Sequence, residues 1–316
     1  MSRIVIMESL GISDEELAMR KKPFEDAGHT FADYPRTGDI RTLIEEAEGA
    51  DAMIIANMPM PEEVIRECDN LKFIDVAFTG VDHVGLKAAA EKGIKVSNAS
   101  GYSNEAVSEL VLGMVLNILR NMRAVEDRCR SGMTKDGLVG SELKGKTVGI
   151  VGYGKIGRRS SELFHAFGCT VLANSRTRKA DAPSWVNQVS LEDLLKASDI
   201  VVLHCPLNDS TRGLINKDKL ALMKKTAVLI NAARGPVVVS GDLAEALDQG
   251  TIAAAGIDVF DKEPPLSDDE PLLHCRNCLV TPHVAFATKE SMSLRAEIVF
   301  DNLDAWLRGS QKNVIL

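Results

Sequence analysis

Thr147-Val148-Gly149-Ile150-Val151-Gly152-Tyr153-Gly154-Lys155-Ile156-Gly157 runs from an apolar stretch of strand length into three glycines spaced G-x-G-x-x-G. Each glycine answers a physical demand. Gly152 permits a tight turn, Gly154 lets the backbone approach a pyrophosphate, and Gly157 lets the following helix pack close to the strand. Such a motif alone also occurs in chance glycine-rich turns, so the flanks decide the reading. Val148 to Val151 has the unbroken apolar character of a buried parallel strand, and Ile156 to Phe167 carries apolar residues at helical spacing. The helix that opens at Lys155 and Ile156 would turn its free N–H groups and positive dipole end toward phosphates.

Downstream, strand-helix alternation continues through Cys169 to Ala173, Ile200 to Leu203, Val228 to Ile230, Ala253 to Val259 and Leu279 to Thr281. Helix starts are marked by Ser190, with Asp193 three residues on, and by Ser240 before Gly241-Asp242-Leu243. Pro264-Pro265 and Pro271 mark an irregular loop, and Lys289 to Leu307 repeats at helical period. Upstream, short apolar runs at Ile4 to Met7, Ala52 to Ala56, Phe73 to Ala77 and Ile94 to Val96 alternate with amphipathic segments at Glu15 to Ala27, Pro61 to Cys68 and Val84 to Lys92. The fold expected is therefore α/β, with two doubly wound parallel-sheet domains: a Rossmann dinucleotide-binding domain over 100–285, and a smaller flavodoxin-like substrate domain over 1–99 plus 286–316. Hinges are expected at Asn98 to Gly101 and Ala285 to Thr288, with domain closure about them. Between the domains, one helix is expected from Ala106 through Val125, apolar enough to bury more than one face at a subunit interface or domain bridge.

Two domains suit 316 residues at the usual size of roughly 150 residues each. A net charge of −8 supplies no general attraction for nucleic acid or an anionic membrane, so an anionic substrate needs a local cationic site. No apolar run is long enough to span a bilayer, and residues 1–30 lack a basic segment followed by an apolar one; a cytoplasmic location is the expectation. The six cysteines are scattered, and Cys275-Arg-Asn-Cys278 has no second ligand pair, so free thiols and no metal are expected.

Three polar residues stand near carboxyl ends of strands in the nucleotide half: Arg234, Glu263 and His283. Arginine grips a carboxylate with two prongs, histidine exchanges a proton near neutral pH, and a carboxylate beside it stabilises imidazolium and orients the ring. Singly, each also reads as a turn arginine, a solvated loop acid and a structural histidine. Phe78-Thr79-Gly80-Val81-Asp82-His83 follows an upstream strand, where it could offer backbone N–H groups to an anion; a plain turn capped by Asp82 fits equally well. Met58, between Asn57 and Pro59 at another strand end, is a candidate wall of a substrate pocket or simply a core methionine.

These residues carry a resemblance. Gly101-Tyr-Ser-Asn-Glu-Ala-Val-Ser-Glu109, Gly152 to Gly157, His204-Cys-Pro-Leu-Asn-Asp-Ser-Thr211, Asn231 to Gly235, Asp258-Val-Phe-Asp-Lys-Glu-Pro-Pro265 and Thr281 to Ala285 follow one another as in the D-isomer-specific 2-hydroxy acid dehydrogenase family, which the chain resembles over nearly its whole length, in the manner of its glyoxylate and hydroxypyruvate reductases. The resemblance implies hydride transfer between NAD(P)H and a small 2-oxo or D-2-hydroxy acid. It implies that Arg234 binds the substrate carboxylate, that His283 is the acid/base paired with Glu263, and that Gly80 and Val81 offer N–H groups to the carboxylate. It further implies that His204, Pro206, Thr211, Ala232, Ala233 and Asp258 line the cofactor site and that the protein is a homodimer joined through its nucleotide domains. Phosphoglycerate-type dehydrogenases and dinucleotide-sensing co-repressors share the pattern and remain alternatives.

One departure concerns the cofactor. NAD-using relatives place an acid at the end of the second strand of this unit, whereas the sequence here reads Ala173-Asn174-Ser175-Arg176-Thr177-Arg178. Ser175 cannot repel a 2′-phosphate, and Arg176 and Arg178 suit one, so NADP is expected in preference to NAD.

Overall fold

The computed structural model describes residues 1–263 and 265–316. Pro264, half of the expected Pro264-Pro265 break, lies outside the described residues. The chain forms two compact units, Met1–Ser103 with Ala287–Leu316, and Asn104–Phe286.

The first unit is a five-stranded, all-parallel sheet of β1 (Arg3–Ile6), β2 (Thr30–Asp33), β3 (Ala52–Ile55), β4 (Phe73–Val76) and β5 (Lys95–Asn98), in the order β2-β1-β3-β4-β5. Helices α1 (Asp14–Asp26), α2 (Ile40–Ala47), α3 (Glu62–Glu67) and α4 (Leu86–Glu91) make the crossovers. β3 and β4 are buried along their whole length, as parallel strands covered on both faces must be. The closing helix Lys289–Leu307 starts at a capping box between Thr288 and Ser291 and stacks Trp306 on Phe73 with ring centres 5.0 Å apart. Asn302 of this helix donates to the fully buried Asp75 (3.0 Å), whose pKa burial pushes up.

The second unit is a seven-stranded parallel sheet of β6 (Thr147–Val151), β7 (Thr170–Asn174), β8 (Val186–Gln188), β9 (Ile200–Leu203), β10 (Val228–Asn231), β11 (Ala254–Ile257) and β12 (Cys278–Val280). Its order, β12-β11-β10-β9-β6-β7-β8, reverses direction between β6 and β9, and ligands of such sheets bind beyond the strand ends at that point. Helices α5 (Asn104–Leu119), α6 (Met122–Arg130), α7 (Lys155–Ala166), α8 (Leu191–Ala197), α9 (Lys217–Leu220) and α10 (Ser240–Asp248) complete the unit. Ile150, Val201, Val202, Leu229 and Ile230 have no exposed surface, and each such side chain contributes about 1.5–3 kcal/mol. No helix among the described residues is long and apolar enough to cross a membrane.

The structure corrects several expectations. The helix expected from Ala106 to Val125 is two, because Asn121 takes a left-handed conformation (φ 51°) and breaks it. In α5 the buried positions are Ala106, Val107, Ser108, Val111, Met114 and Val115, and the helix lies against α7, β10 and β11. β2 and β8 were not expected: β2 has no fully buried residue and β8 has three residues, so neither shows an apolar run. Ser190 caps α8, accepting from the Asp193 N–H (3.1 Å), but Ser240 lies inside α10, after Val239.

Candidate active site

At the end of β6, Gly152 has φ 99°, and a Cβ there would lie 2.4 Å from the Cys205 nitrogen. A Cβ on Gly157 would lie 2.1 Å from the Gly152 carbonyl oxygen. A side chain at Gly152 would displace the segment after β9, and one at Gly157 would push α7 away from the turn after β6. Gly154 differs, since nothing lies within 4 Å of where its Cβ would be; it caps α7, and the first N–H groups of that helix, with Lys155 and Ile156, have no partners in the helix. A strained turn, a helix N-terminus and open space above it fit a dinucleotide pyrophosphate.

His204 follows β9, and its backbone N–H donates to the Val151 carbonyl (2.7 Å). Its ring reaches Ser160 of α7 (Nε2 to Oγ 2.8 Å), Ser160 donates to Ser108 of α5 (3.1 Å), and Ser108 donates to the Ile156 carbonyl (3.3 Å). Each hydroxyl has one hydrogen, so the chain's direction makes His204 Nε2–H the donor. Burial lowers the His204 pKa to about 4, which keeps the ring neutral. The residue expected to line the cofactor site therefore also ties β9 to α7. Pro206 is exposed, and the Thr211 hydroxyl closes the turn by donating to the Pro206 carbonyl (2.6 Å). Beyond β7, Ser175 donates to the Thr177 carbonyl (2.9 Å), while Arg176 and Arg178 are exposed and make no ion pair among the described residues.

Arg234, Glu263 and His283 follow the carboxyl ends of β10, β11 and β12, three neighbouring strands, so they share one edge of the sheet. Buried Asn231 holds the arginine turn, accepting from the Ala233 N–H (3.1 Å) and donating to the Arg234 carbonyl (3.0 Å), and Ala232 lies between them. Arg234 Nη1 donates to the Ala233 carbonyl (2.9 Å). A Cβ on Gly235 would sit 2.0 Å from the Phe260 carbonyl, so only glycine lets this turn approach the segment after β11.

His283 Nδ1 lies 2.7 Å from Glu263 Oε2, and the ring meets Phe286 edge-on at 5.4 Å. His283 has φ 54°, uncommon for a residue with a Cβ, and the loop is braced to hold it. Its N–H donates to the Asp258 carbonyl (2.7 Å). The Asp258 carboxylate accepts from the Thr281 hydroxyl (2.6 Å) and the N–H groups of Val284 and Ala285 (each 2.9 Å). Desolvation nonetheless raises the Asp258 pKa, because the side chain has no exposed surface. Asp258, expected among the cofactor contacts, has no exposed surface and also holds the histidine loop.

In the first unit, Gly80 and Val81 are half-buried in the loop after β4, next to the loop after β3. His83 Nε2 contacts the Ala56 carbonyl (2.8 Å), and Asn98 Nδ2 donates to the Thr79 carbonyl (2.7 Å). Glu8, which sequence reasoning missed, is buried and accepts from the N–H groups of Ala56 and Met58 (each 2.7 Å). An acid ending a short apolar run carries no motif that would flag it. Met58 has no exposed surface, so its side chain packs the core, and Asn57 and Pro59 face outward instead. Among the described residues no cluster of His, Cys, Asp or Glu could hold a metal.

Known proteins resemble this chain over most of its length. Residues 112–285 match the family model described as "D-isomer specific 2-hydroxyacid dehydrogenase, NAD binding domain". The chain is 34% identical to a hydroxypyruvate reductase of Blautia hydrogenotrophica, covering 99% of each, and 37% identical to a glyoxylate reductase of Aeropyrum pernix, covering 85% of this chain and 83% of that one. It superposes on an acyclic imino acid reductase solved with NADPH and D-arginine with a TM-score of 0.91 at 26% identity, covering 99% of this chain and all of that one. The chain belongs to the D-isomer specific 2-hydroxyacid dehydrogenase family, and it is an oxidoreductase of 2-hydroxy acids.

Proposed function

We propose that this protein reduces a small 2-oxo acid, glyoxylate or hydroxypyruvate, to the D-2-hydroxy acid with NADPH in preference to NADH. The observation that carries the reading is the His283–Glu263 pair at 2.7 Å, on a loop braced by buried Asp258. Gly152, Gly154 and the N-terminus of α7 would hold the cofactor's pyrophosphate. When bound, the cofactor supplies the hydride that adds to substrate C2. Arg234 grips the substrate carboxylate and polarises the carbonyl. Gly80 and Val81, by the family resemblance, offer N–H groups to a substrate carboxylate. His283, as imidazolium, donates its proton to the forming alkoxide, and Glu263 stabilises the charged ring; in oxidation His283 accepts that proton. General acid/base help of this kind contributes roughly 10²- to 10⁴-fold.

The cofactor preference is supported by the absence of an acid at the end of β7 and by exposed Arg176 and Arg178 there; the imino acid reductase relative holds NADPH. A homodimer joined through the nucleotide unit is supported by Met122, Met133 and Val139, which are 49%, 59% and 81% exposed in and after α6. Light scattering on the eluting peak tests the dimer, and a monomer at working concentration would refute it. Glyoxylate, hydroxypyruvate, pyruvate and longer 2-oxo acids, each assayed with both reduced cofactors, test the activity. NADPH oxidation should be fastest with glyoxylate or hydroxypyruvate. Cofactor binding without turnover of any acid would instead make the protein a dinucleotide sensor.

A further inference from the structure

The segment after β7 is held in an unusual way. Gln188, at the end of β8, accepts from the Lys179 N–H through its side-chain oxygen (2.7 Å) and donates to the Lys179 carbonyl through its side-chain nitrogen (2.8 Å). A carboxamide carries the adjacent acceptor and donor that serve both groups of one residue. The start of the segment is tied by Asn174, whose side chain donates to the Val189 carbonyl (3.0 Å). Farther along, Asp181 pairs with Arg158 of α7 (2.7 Å), the helix whose N-terminus follows the glycine turn. None of these ties uses the guanidinium of Arg176 or Arg178, which stay exposed and without a partner among the described residues.

Backbone restraint with unused donors is what a phosphate site requires. A floppy loop would have to be ordered when the anion binds, and that ordering would weaken binding. We propose that Gln188 is a positioning residue for cofactor choice: its two-bond clamp on Lys179 presents Arg176 and Arg178 to the 2′-phosphate of NADPH. The inference rests on the NADPH reading above. Gln188 lies outside the glycine motif, as the last residue of a strand of only three, and it would act on the phosphate through Lys179 and the loop.

The test is direct titration of NADPH and NADH binding by protein fluorescence without oxo acid, together with steady-state kinetics of the same chain with each reduced cofactor, in wild type, Gln188→Met, Gln188→Glu, Arg176→Ala and the double variant Gln188→Met with Arg176→Ala. Methionine keeps the side-chain length and loses both bonds. Glutamate can still accept from Lys179 but cannot donate. Losing two hydrogen bonds that order one loop raises KM for NADPH about 3- to 10-fold in Gln188→Met, with kcat held within about twofold. NADH kinetics shift less, Gln188→Glu falls between wild type and Gln188→Met, and the double variant loses little more NADPH preference than Arg176→Ala alone. A general loss of stability would move both cofactors together. If Arg176→Ala collapses the preference while Gln188→Met and Gln188→Glu leave the ratio intact or weaken both cofactors alike, the clamp is refuted and the NADPH reading stands. If wild type uses NADH as well as NADPH and Arg176→Ala changes nothing, both are refuted.

Discussion

Two loops on the same edge of the seven-stranded sheet are fixed by opposite means. The loop after β12 is held from within, by a buried carboxylate that takes three hydrogen bonds and keeps His283 in a left-handed conformation costing of order 1 kcal/mol. The segment after β7 is held by its backbone, through Gln188 and Asn174, and leaves its arginines in solvent. The difference suits the tasks proposed for the two loops. Proton transfer needs one ring in one place, so the histidine loop is over-determined and its supports are buried. Gripping a phosphate needs charge at the right height with freedom to adapt, so only the backbone is restrained.

The proposed tasks separate under mutation. Among changes to these two loops' surroundings, Arg234→Lys should have a large effect, because an ammonium cannot reproduce the two-pronged contact. Measured kcat/KM for the oxo acid should fall roughly 10²- to 10³-fold, and a loss under fivefold would remove Arg234 from the carboxylate site. Asp258→Asn attacks the brace. An amide oxygen can satisfy only part of what the carboxylate accepts, so kcat should fall about 10- to 100-fold and stability by about 1–3 kcal/mol. A variant with lowered stability and unchanged kcat would show the brace to be irrelevant to chemistry. Arg176→Ala tests the other loop and should lower the NADPH-to-NADH ratio of kcat/KM about 10-fold; wild-type preference should shrink with added salt, because the site is exposed. A salt-independent ratio would contradict a charge-based preference.

The smallest effect concerns neither loop. His204 is neutral when folded, with its pKa lowered to about 4. Between that value and the ordinary histidine value of about 6.5 the unfolded chain binds the extra proton, so this contribution is present at neutral pH and is lost as pH falls. Part of the residue reaches solvent, which discounts the effect to about 1–3 kcal/mol. Melting temperature should drop across that window more in wild type than in His204→Gln. Equal slopes would deny the histidine this role.

Legibility in the sequence followed the physics of each residue. The glycine turn could be read because Gly152 and Gly157 meet demands no side chain can, and Ile200 to Leu203 could be read because a doubly covered strand must be apolar throughout. Edge strands β2 and β8 could not, since exposure leaves them no apolar pattern. The end of α5 was hidden because Asn121 interrupts the helix through its backbone conformation while the apolar period runs on. Glu8, Asp258 and Gln188 show a further limit. What each does depends on a partner brought near by the fold, at separations of 9 to 50 residues, and one sequence carries no trace of such pairings.

The proposed chemistry is exposed most directly by His283→Ala. Purified variant and wild type would be compared for kcat with hydroxypyruvate and NADPH, with NADPH affinity measured separately by titration. In His283→Ala, kcat should fall roughly 10²- to 10⁴-fold while cofactor affinity stays within about threefold. A near-normal kcat at the variant's own pH optimum would contradict it.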